Sequence, residues 1–409
     1  MLEVLLIITF AGLMLASHRR MGIGNPFQIY FLVWFILVLG YYVSRETYIS
    51  VSFEFVGLLL VANFFSFVLL FIVYTERKVA VNLKTVSINN SQDWLIILAQ
   101  IAVTVALPFV YLQAVTLAQG EDIFTVLGYI KLRSAMVREG ADYGLLRYFF
   151  ILSFVVSSLT MFSYRQRSAH LGRLVLSILV SLSYAYLSTG RTFILLFMCL
   201  MTIPLIFVGA IRLRGILISV LITAILFMFV AGMTLRGISI NMGLSENIHF
   251  FSENIRSYTI APIVAFLNFV ASEPVLDWGE NTFRFLIALQ YTLGLSDTAP
   301  LQLIRDYALV PDATNVYTVY EPYFRDFSYF GILIPPFFLI IHYWLYRKAI
   351  RFGGVWLFYY SAAVYPLLMQ FFQDQYFSLF SMWIQFVFWY WLFIELLKSR
   401  SSIDELRHA

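Results

Sequence analysis

Long apolar runs separated by short polar connections make up most of the chain. An α-helix needs roughly 20 apolar residues to cross a bilayer, and about eleven runs approach that length. They are 2–17, 27–43, 51–74, 94–112, 143–163, 172–189, 191–209, 215–234, 326–346, 353–372 and 377–397. The pattern predicts an all-α polytopic membrane protein with about 11 transmembrane helices and a single integral membrane domain over 1–409.

Composition supports this interpretation. Hydrophobic residues make up 61% of the 409, charged residues 12%, and the mean hydropathy is +0.83. Soluble proteins average about 25% charged residues, so an ordinary soluble fold is excluded. The net charge of +4 is small and scattered, which argues against nucleic-acid binding. The lone Cys199 allows neither an intrachain disulfide nor a cysteine-based metal site.

Charge placement predicts the orientation. Glu3 precedes the first apolar run and His18-Arg19-Arg20 follows it, the reverse of a cleavable signal peptide. We therefore expect a retained first span with its N-terminus outside and the C-terminus in the cytoplasm. In that arrangement most of the 27 cations lie inside and most of the 23 acids lie outside, as the positive-inside rule requires.

Two outer loops are longer than the rest. Residues 113–142 contain Ile123, Leu127, Ile130 and Val137 on one helical face, a pattern typical of an interfacial helix. Residues 235–325 form the large outer loop. Within it the apolar run 258–271 is too short to span, which favours a re-entrant or surface-lying helix.

Arginines on the outer side are the candidate substrate-binding residues. They are Arg191, Arg236, Arg256, Arg284 and Arg325. A planar guanidinium can bind a diphosphate through two hydrogen bonds at once. The alternative is structural, because an arginine near a membrane surface can also reach lipid phosphates or pair with an acid.

The candidate general bases also lie outside. His249 is the only histidine on the outer side, and Glu321 and Asp326 stand in an aromatic-rich segment before a late span. Tyr320 and Tyr323 beside them can stack on sugars. The alternatives are an exposed loop histidine and an aromatic belt at the membrane surface.

The motifs NVYT…PYFRDFSYFGI (315–332) and STGRT (188–192), together with ten or more spans and one large outer loop, resemble the O-antigen polymerase (Wzy) family. The resemblance implies a glycosyltransferase of the bacterial inner membrane whose active site faces the periplasm. It would transfer a growing chain from undecaprenyl diphosphate onto a newly delivered lipid-linked repeat unit. Some members carry R-x10-G motifs in two periplasmic loops; Arg133 and Gly144 fit that spacing, and no arginine in the large loop does.

The resemblance also sets the expected partners and the rival functions. The partners are the undecaprenyl-diphosphate-linked oligosaccharide, the bilayer and a polysaccharide chain-length regulator. The diphosphate is a good leaving group, so neither a cofactor nor a metal is expected. The rivals are an O-antigen ligase with lipid A core as acceptor, a flippase for lipid-linked oligosaccharides, and a structural scaffold.

Overall fold

A computed structural model gives the architecture of most of the chain. It describes residues 2–22, 24–44, 46–48, 66, 68–70, 72, 90–138, 140–165, 169–209, 211, 213–233, 253, 256–272, 276–302, 305–311 and 313–407. The predicted span 51–74 and the start of the large outer loop lie largely outside these residues. Arg236 and His249 also lie outside them.

Helices dominate the described residues, because long apolar runs in the sequence satisfy their backbone polar groups internally. The helices are α1 (Leu2–Met21), α2 (Pro26–Ser44), α3 (Asn90–Leu117), α4 (Val126–Arg138), α5 (Tyr148–Arg165), α6 (Leu171–Leu187), α7 (Arg191–Phe207), α8 (Leu213–Met233), α9 (Ala261–Ala271), α10 (Arg284–Thr292), α11 (Glu321–Phe327), α12 (Ile334–Phe352), α13 (Gly354–Leu368) and α14 (Phe380–Arg407). Two 3-10 helices precede α5 and α12, at Gly144–Arg147 and Ser328–Leu333. A two-residue antiparallel ladder pairs β1 (Ala308–Leu309) with β2 (Ala313–Thr314).

Five helical stretches in the described part of the chain are long and apolar enough to cross a membrane. They are Glu3–Met21, Pro26–Ser44, Asp93–Leu117, Gly144–Arg165 and Glu321–Phe352. Other predicted spans form shorter apolar helices, among them α6, α7 and α13. The chain is therefore an all-α protein with membrane-spanning candidates, while the number of about 11 spans and their orientation stay predictions.

The chain divides into two compact units. The first contains Met1–Ala80, Ile248–Arg347 and Ala363–Ser381, and the second contains Val81–Asn247, Lys348–Ala362 and Met382–Ala409.

The second unit is a helix bundle with buried polar contacts. Helix α6 packs against α3, α5 and α7, and α8 packs against α7. Ser157 and Ser181 join α5 to α6 through their hydroxyls at 2.7 Å, and the Tyr184 hydroxyl donates to the Val103 carbonyl at 2.8 Å. Such interhelical hydrogen bonds are the expected means of association where the surroundings are as apolar as the helices.

Helix α4 occupies the predicted amphipathic segment but packs through a different face. Its buried positions are Tyr129, Leu132 and Ala135, whereas Leu127 is exposed. Tyr129 is buried on this face because its ring stacks on that of Tyr186 at a centroid distance of 4.7 Å.

The first unit is built around α2, α9 and α11. The ring of Tyr320 lies 5.4 Å from that of Trp34 and 6.1 Å from that of Phe266. Trp34 Nε1 donates to Gln370 Oε1 at 2.7 Å. Helix α9 is almost wholly buried, so the surface-lying alternative for 258–271 is wrong, and this helix forms part of the core beneath α11.

Candidate functional site

A small, open polar cavity of about 30 Å³ lies in the first unit, next to the start of α11. Its lining residues are mostly charged groups, carboxamides and hydroxyls. They are Asn281, Arg284, Gln302, Arg305, Asn315, Tyr317, Glu321, Pro322, Gln373, Asp374 and Ser378. The cavity therefore brings together two of the predicted site residues, Arg284 and Glu321.

Glu321 is the first residue of α11 and is buried. Its carboxylate accepts a hydrogen bond from Arg325 Nε at 2.6 Å, one helical turn on, and lies 3.1 Å from Arg305 Nε. The single negative charge is thus shared by two guanidinium groups. Because Arg305 comes from the preceding loop, Glu321 also ties that loop to the helix.

Arg305 was not among the residues predicted from the sequence. Besides Glu321, its guanidinium donates to Asn281 Oδ1 and to the Gln302 carbonyl. Arg305 is the only cation between Arg284 and Arg325. That isolation, in a loop otherwise rich in acids and carboxamides, is the signal that could have found it.

Arg284 begins α10 and is held in place by its Nε, which donates to the Leu301 carbonyl at 2.6 Å. Burial lowers the pKa of Arg284, and the positive charge of Arg305 lowers it further. Two guanidinium groups therefore face one cavity with mutual repulsion. A bound anion would relieve that repulsion and replace the water each group has lost.

Arg325 does not line the cavity. Its guanidinium lies over the Phe269 ring, 4.2 Å from the centroid, while its Nε pairs with Glu321. The structure therefore places it as a partner of Glu321.

Asp326 is fully buried and its two oxygens are occupied. Oδ1 accepts from Asn281 N at 3.1 Å and Asn281 Nδ2 at 2.8 Å. Oδ2 accepts from Thr282 N at 2.7 Å and Thr282 Oγ1 at 2.6 Å. This carboxylate joins α11 to the turn at Asn281 and Thr282. That turn supplies the cavity residue Asn281 and leads into α10, whose first residue is Arg284.

The predicted tyrosines lie in the core rather than at the cavity. The Tyr320 hydroxyl lies 3.3 Å from that of Tyr30, and the Tyr323 hydroxyl donates to Asp374 Oδ1 at 2.7 Å. The tyrosine that lines the cavity is instead Tyr317. Burial raises the pKa of Tyr317, and the Glu321 charge raises it further, so its hydroxyl is a hydrogen-bond donor near neutral pH.

Asp374 also lines the cavity. In addition to the Tyr323 hydroxyl, it accepts the backbone N–H groups of Tyr376 at 2.9 Å and Ser378 at 2.8 Å. These bonds fix the turn between α13 and α14, which also places Gln373 and Ser378 at the cavity.

The remaining predicted arginines lie elsewhere. Arg256 pairs with Glu253 at 3.9 Å. Arg191 belongs to the second unit, where it begins α7 after the Thr189-Gly190 turn. Arg133 Nη1 donates to the Thr189 carbonyl at 2.7 Å, which holds that turn against α4.

Comparison of the chain with protein-family models, with curated proteins and with solved structures finds no match.

Proposed function

We propose that the chain is a membrane glycosyltransferase that polymerises lipid-diphosphate-linked oligosaccharide repeat units, as the resemblance to O-antigen polymerases implies. The observation that carries the proposal is one polar cavity lined by Arg284, Arg305 and Glu321 in a chain rich in membrane-spanning candidates. Its site would face the periplasm of a bacterial inner membrane.

The two cavity arginines, Arg284 and Arg305, bind the diphosphate leaving group. As the bond between the anomeric carbon and the diphosphate breaks, its electron pair departs with the diphosphate oxygen. Arg284 and Arg305 stabilise the negative charge that develops there. Their mutual repulsion across the cavity supports this role, because a doubly charged group would pair with both guanidinium groups.

Glu321 is the best-supported candidate for the general base. The acceptor sugar hydroxyl attacks the anomeric carbon, and its proton passes to a Glu321 oxygen. Binding of the diphosphate to Arg305 draws that guanidinium away from Glu321, so that Arg325 alone pairs with the carboxylate and its second oxygen can accept the proton. Asp326 is a weaker candidate because four hydrogen bonds occupy its oxygens.

The carboxamides and Tyr317 support recognition of sugar hydroxyls. Asn315, Gln302 and Gln373 each carry both donors and acceptors, which suits the alternating donor and acceptor character of a neutral sugar. A site that bound only an anion would need hydrogen-bond donors, and the acceptor oxygens of these carboxamides would not contribute to binding.

The test is chain extension by the purified protein in lipid vesicles. We expect it to lengthen undecaprenyl-diphosphate oligosaccharide into a ladder of products on a gel. Arg305→Lys and Glu321→Gln should each slow extension by about 100-fold or more, the effect of removing one well-placed transition-state group. Arg147→Lys is the matched control, since Arg147 is exposed and pairs with Asp142 and Tyr148, both within five residues of it in sequence.

Three results would contradict the proposal. Transfer of the oligosaccharide to lipid A core, without extension of the lipid-linked chain, would identify a ligase. Transport of the lipid-linked oligosaccharide without extension would identify a flippase. Full activity of both cavity variants would place the chemistry outside the cavity.

A further inference from the structure

Asp374 is a buried carboxylate at the cavity that the proposed reaction does not use. It is 2% exposed and lines the cavity together with its neighbours Gln373 and Ser378. It belongs to the turn between α13 and α14, which is distant in sequence from Glu321 at the start of α11. Two carboxylates from two different elements therefore line one cavity.

The two carboxylates differ in the groups that pair with them. Glu321 has two arginine partners, Arg305 at 3.1 Å and Arg325 at 2.6 Å. Asp374 forms no ion pair with any described residue, and its hydrogen bonds come from neutral donors. A buried carboxylate without a cation depends on hydrogen bonds to replace the water it has lost. The number of those bonds therefore decides whether Asp374 is fully satisfied.

The hydrogen bonds from described residues leave one acceptor position of Asp374 open. An ionised carboxylate has about four such positions, two on each oxygen. Asp326, in the same unit, fills all of them with four donors. In Asp374, Oδ1 accepts from the Tyr323 hydroxyl and the Tyr376 N–H, whereas Oδ2 accepts only from the Ser378 N–H. Because Asp374 and Ser378 both line the cavity, a group bound there can reach the open position on Oδ2.

The other charges of the cavity indicate what kind of group fits this position. It must donate a hydrogen bond, because an ionised carboxylate only accepts. A positively charged donor such as an ammonium group is disfavoured, since Arg284 and Arg305 line the same cavity and would repel it. A neutral hydroxyl donates without that repulsion.

We propose that Asp374 is a specificity-determining residue, which accepts a hydrogen bond from one particular hydroxyl of the bound sugar. The inference rests on the proposed function and adds to it the feature of the substrate that the cavity selects. A sugar that lacks this hydroxyl, or carries it acetylated, would leave a buried acceptor without a donor. Sites built around a substrate hydroxyl reject the analogue without it for that reason.

Binding of methyl hexopyranosides and their single-deoxy analogues to the purified full chain in detergent tests this role. Bound sugar raises the unfolding temperature, which gives its affinity. We expect at least one hexoside to bind the wild type, and the loss of one particular hydroxyl to weaken that binding by about 10- to 100-fold, the effect of one hydrogen bond to a charged group. Asp374→Asn should bind the hexoside and that deoxy analogue alike. Asp297→Asn, exposed in the same unit, is the matched control and should discriminate like the wild type.

A second variant, Tyr323→Phe, keeps the carboxylate and the backbone hydrogen bonds of the turn. It removes one neutral donor from Oδ1, so the charge of Asp374 is shared by fewer partners and should hold the sugar hydroxyl more tightly. We expect Tyr323→Phe to discriminate against the deoxy analogue more strongly than the wild type does. A purely structural role of Asp374 predicts no such gain.

Three outcomes would overturn the inference. They are the absence of hexoside binding to the wild type, equal binding of every deoxy analogue, and unchanged discrimination in both variants. Preference for an aminodeoxy analogue would assign the position to an ammonium group instead. Binding needs no turnover, so selective binding without polymerisation would leave the role of Asp374 standing and remove the glycosyl transfer. Polymerisation without selectivity for a hydroxyl would do the reverse.

Discussion

Asp326 is the residue whose hydrogen bonds join α11 to the loop that carries two cavity residues. Asp326→Asn replaces one acceptor oxygen with an NH2 group, which must then face a donor of Asn281 or Thr282. We expect a loss of about 3 kcal/mol of stability, the usual effect of breaking hydrogen bonds to a buried charged group. Thermal unfolding of the purified variant in detergent measures it.

Asp297→Asn is the matched control for this change, since Asp297 is exposed in the same loop region and should unfold like the wild type. An Asp326→Asn protein with wild-type stability and no polymerase activity would assign Asp326 a chemical role instead.

Residue types and spacing predict part of the site. Glu321 and Arg325 are one turn apart, so their pairing follows from a helix over these positions. Tyr320 and Tyr323 are three residues apart, so they lie together on the face of the helix away from Glu321 and Arg325. That face packs into the core. The loop contact of Arg305 with Glu321 joins residues 16 apart, and no local pattern specifies such a contact.

At the scale of elements, α11 and the 3-10 helix Ser328–Leu333 fold back on each other so closely that only glycine fits at position 331. A Cβ there would overlap the carbonyl oxygen of Tyr323, a backbone atom that cannot move aside alone. Gly331→Ala should therefore destabilise the protein by about 1–3 kcal/mol, as overpacking of a core does. It should also weaken activity, because the start of α11 carries Glu321.

Gly12→Ala in α1 is the control for Gly331→Ala, because a Cβ at Gly12 meets nothing within 4 Å. It should leave the unfolding temperature unchanged or raise it slightly. Equal stability of the two variants would show that the turn after α11 relaxes at no cost.

Helix α4 shows how far periodicity alone predicts an element. The amphipathic pattern of Ile123, Leu127, Ile130 and Val137 predicts a helix within 113–142, but hydrophobicity ranks Leu127 above Tyr129. The structure buries Tyr129 because its ring stacks on Tyr186 and its hydroxyl donates to the Tyr186 carbonyl at 3.2 Å. A partner distant in sequence decides the buried face, so the sequence pattern could not identify it.

At the scale of the whole molecule, apolar runs predict the helical architecture well. The starts and ends of α2, α6 and α7 agree with the predicted spans to within about two residues, the usual scatter of helix boundaries. Which helices cross the bilayer, and in which direction, depends on a lipid environment, and the basis for direction is the placement of Lys and Arg along the chain.

Sidedness is therefore the whole-molecule prediction that most needs measurement. Single cysteines are introduced into a Cys199→Ala background and reacted with a membrane-impermeant maleimide on intact and on permeabilised cells. Thr298, exposed beside the cavity-bearing loop, should label in intact cells, whereas His170, exposed before α6, should label only after permeabilisation. The reverse pattern at both positions would place the Arg284–Arg305 cavity on the cytoplasmic side. Substrate would then have to reach it before translocation, which would exclude a periplasmic polymerase even if the cavity binds lipid diphosphate.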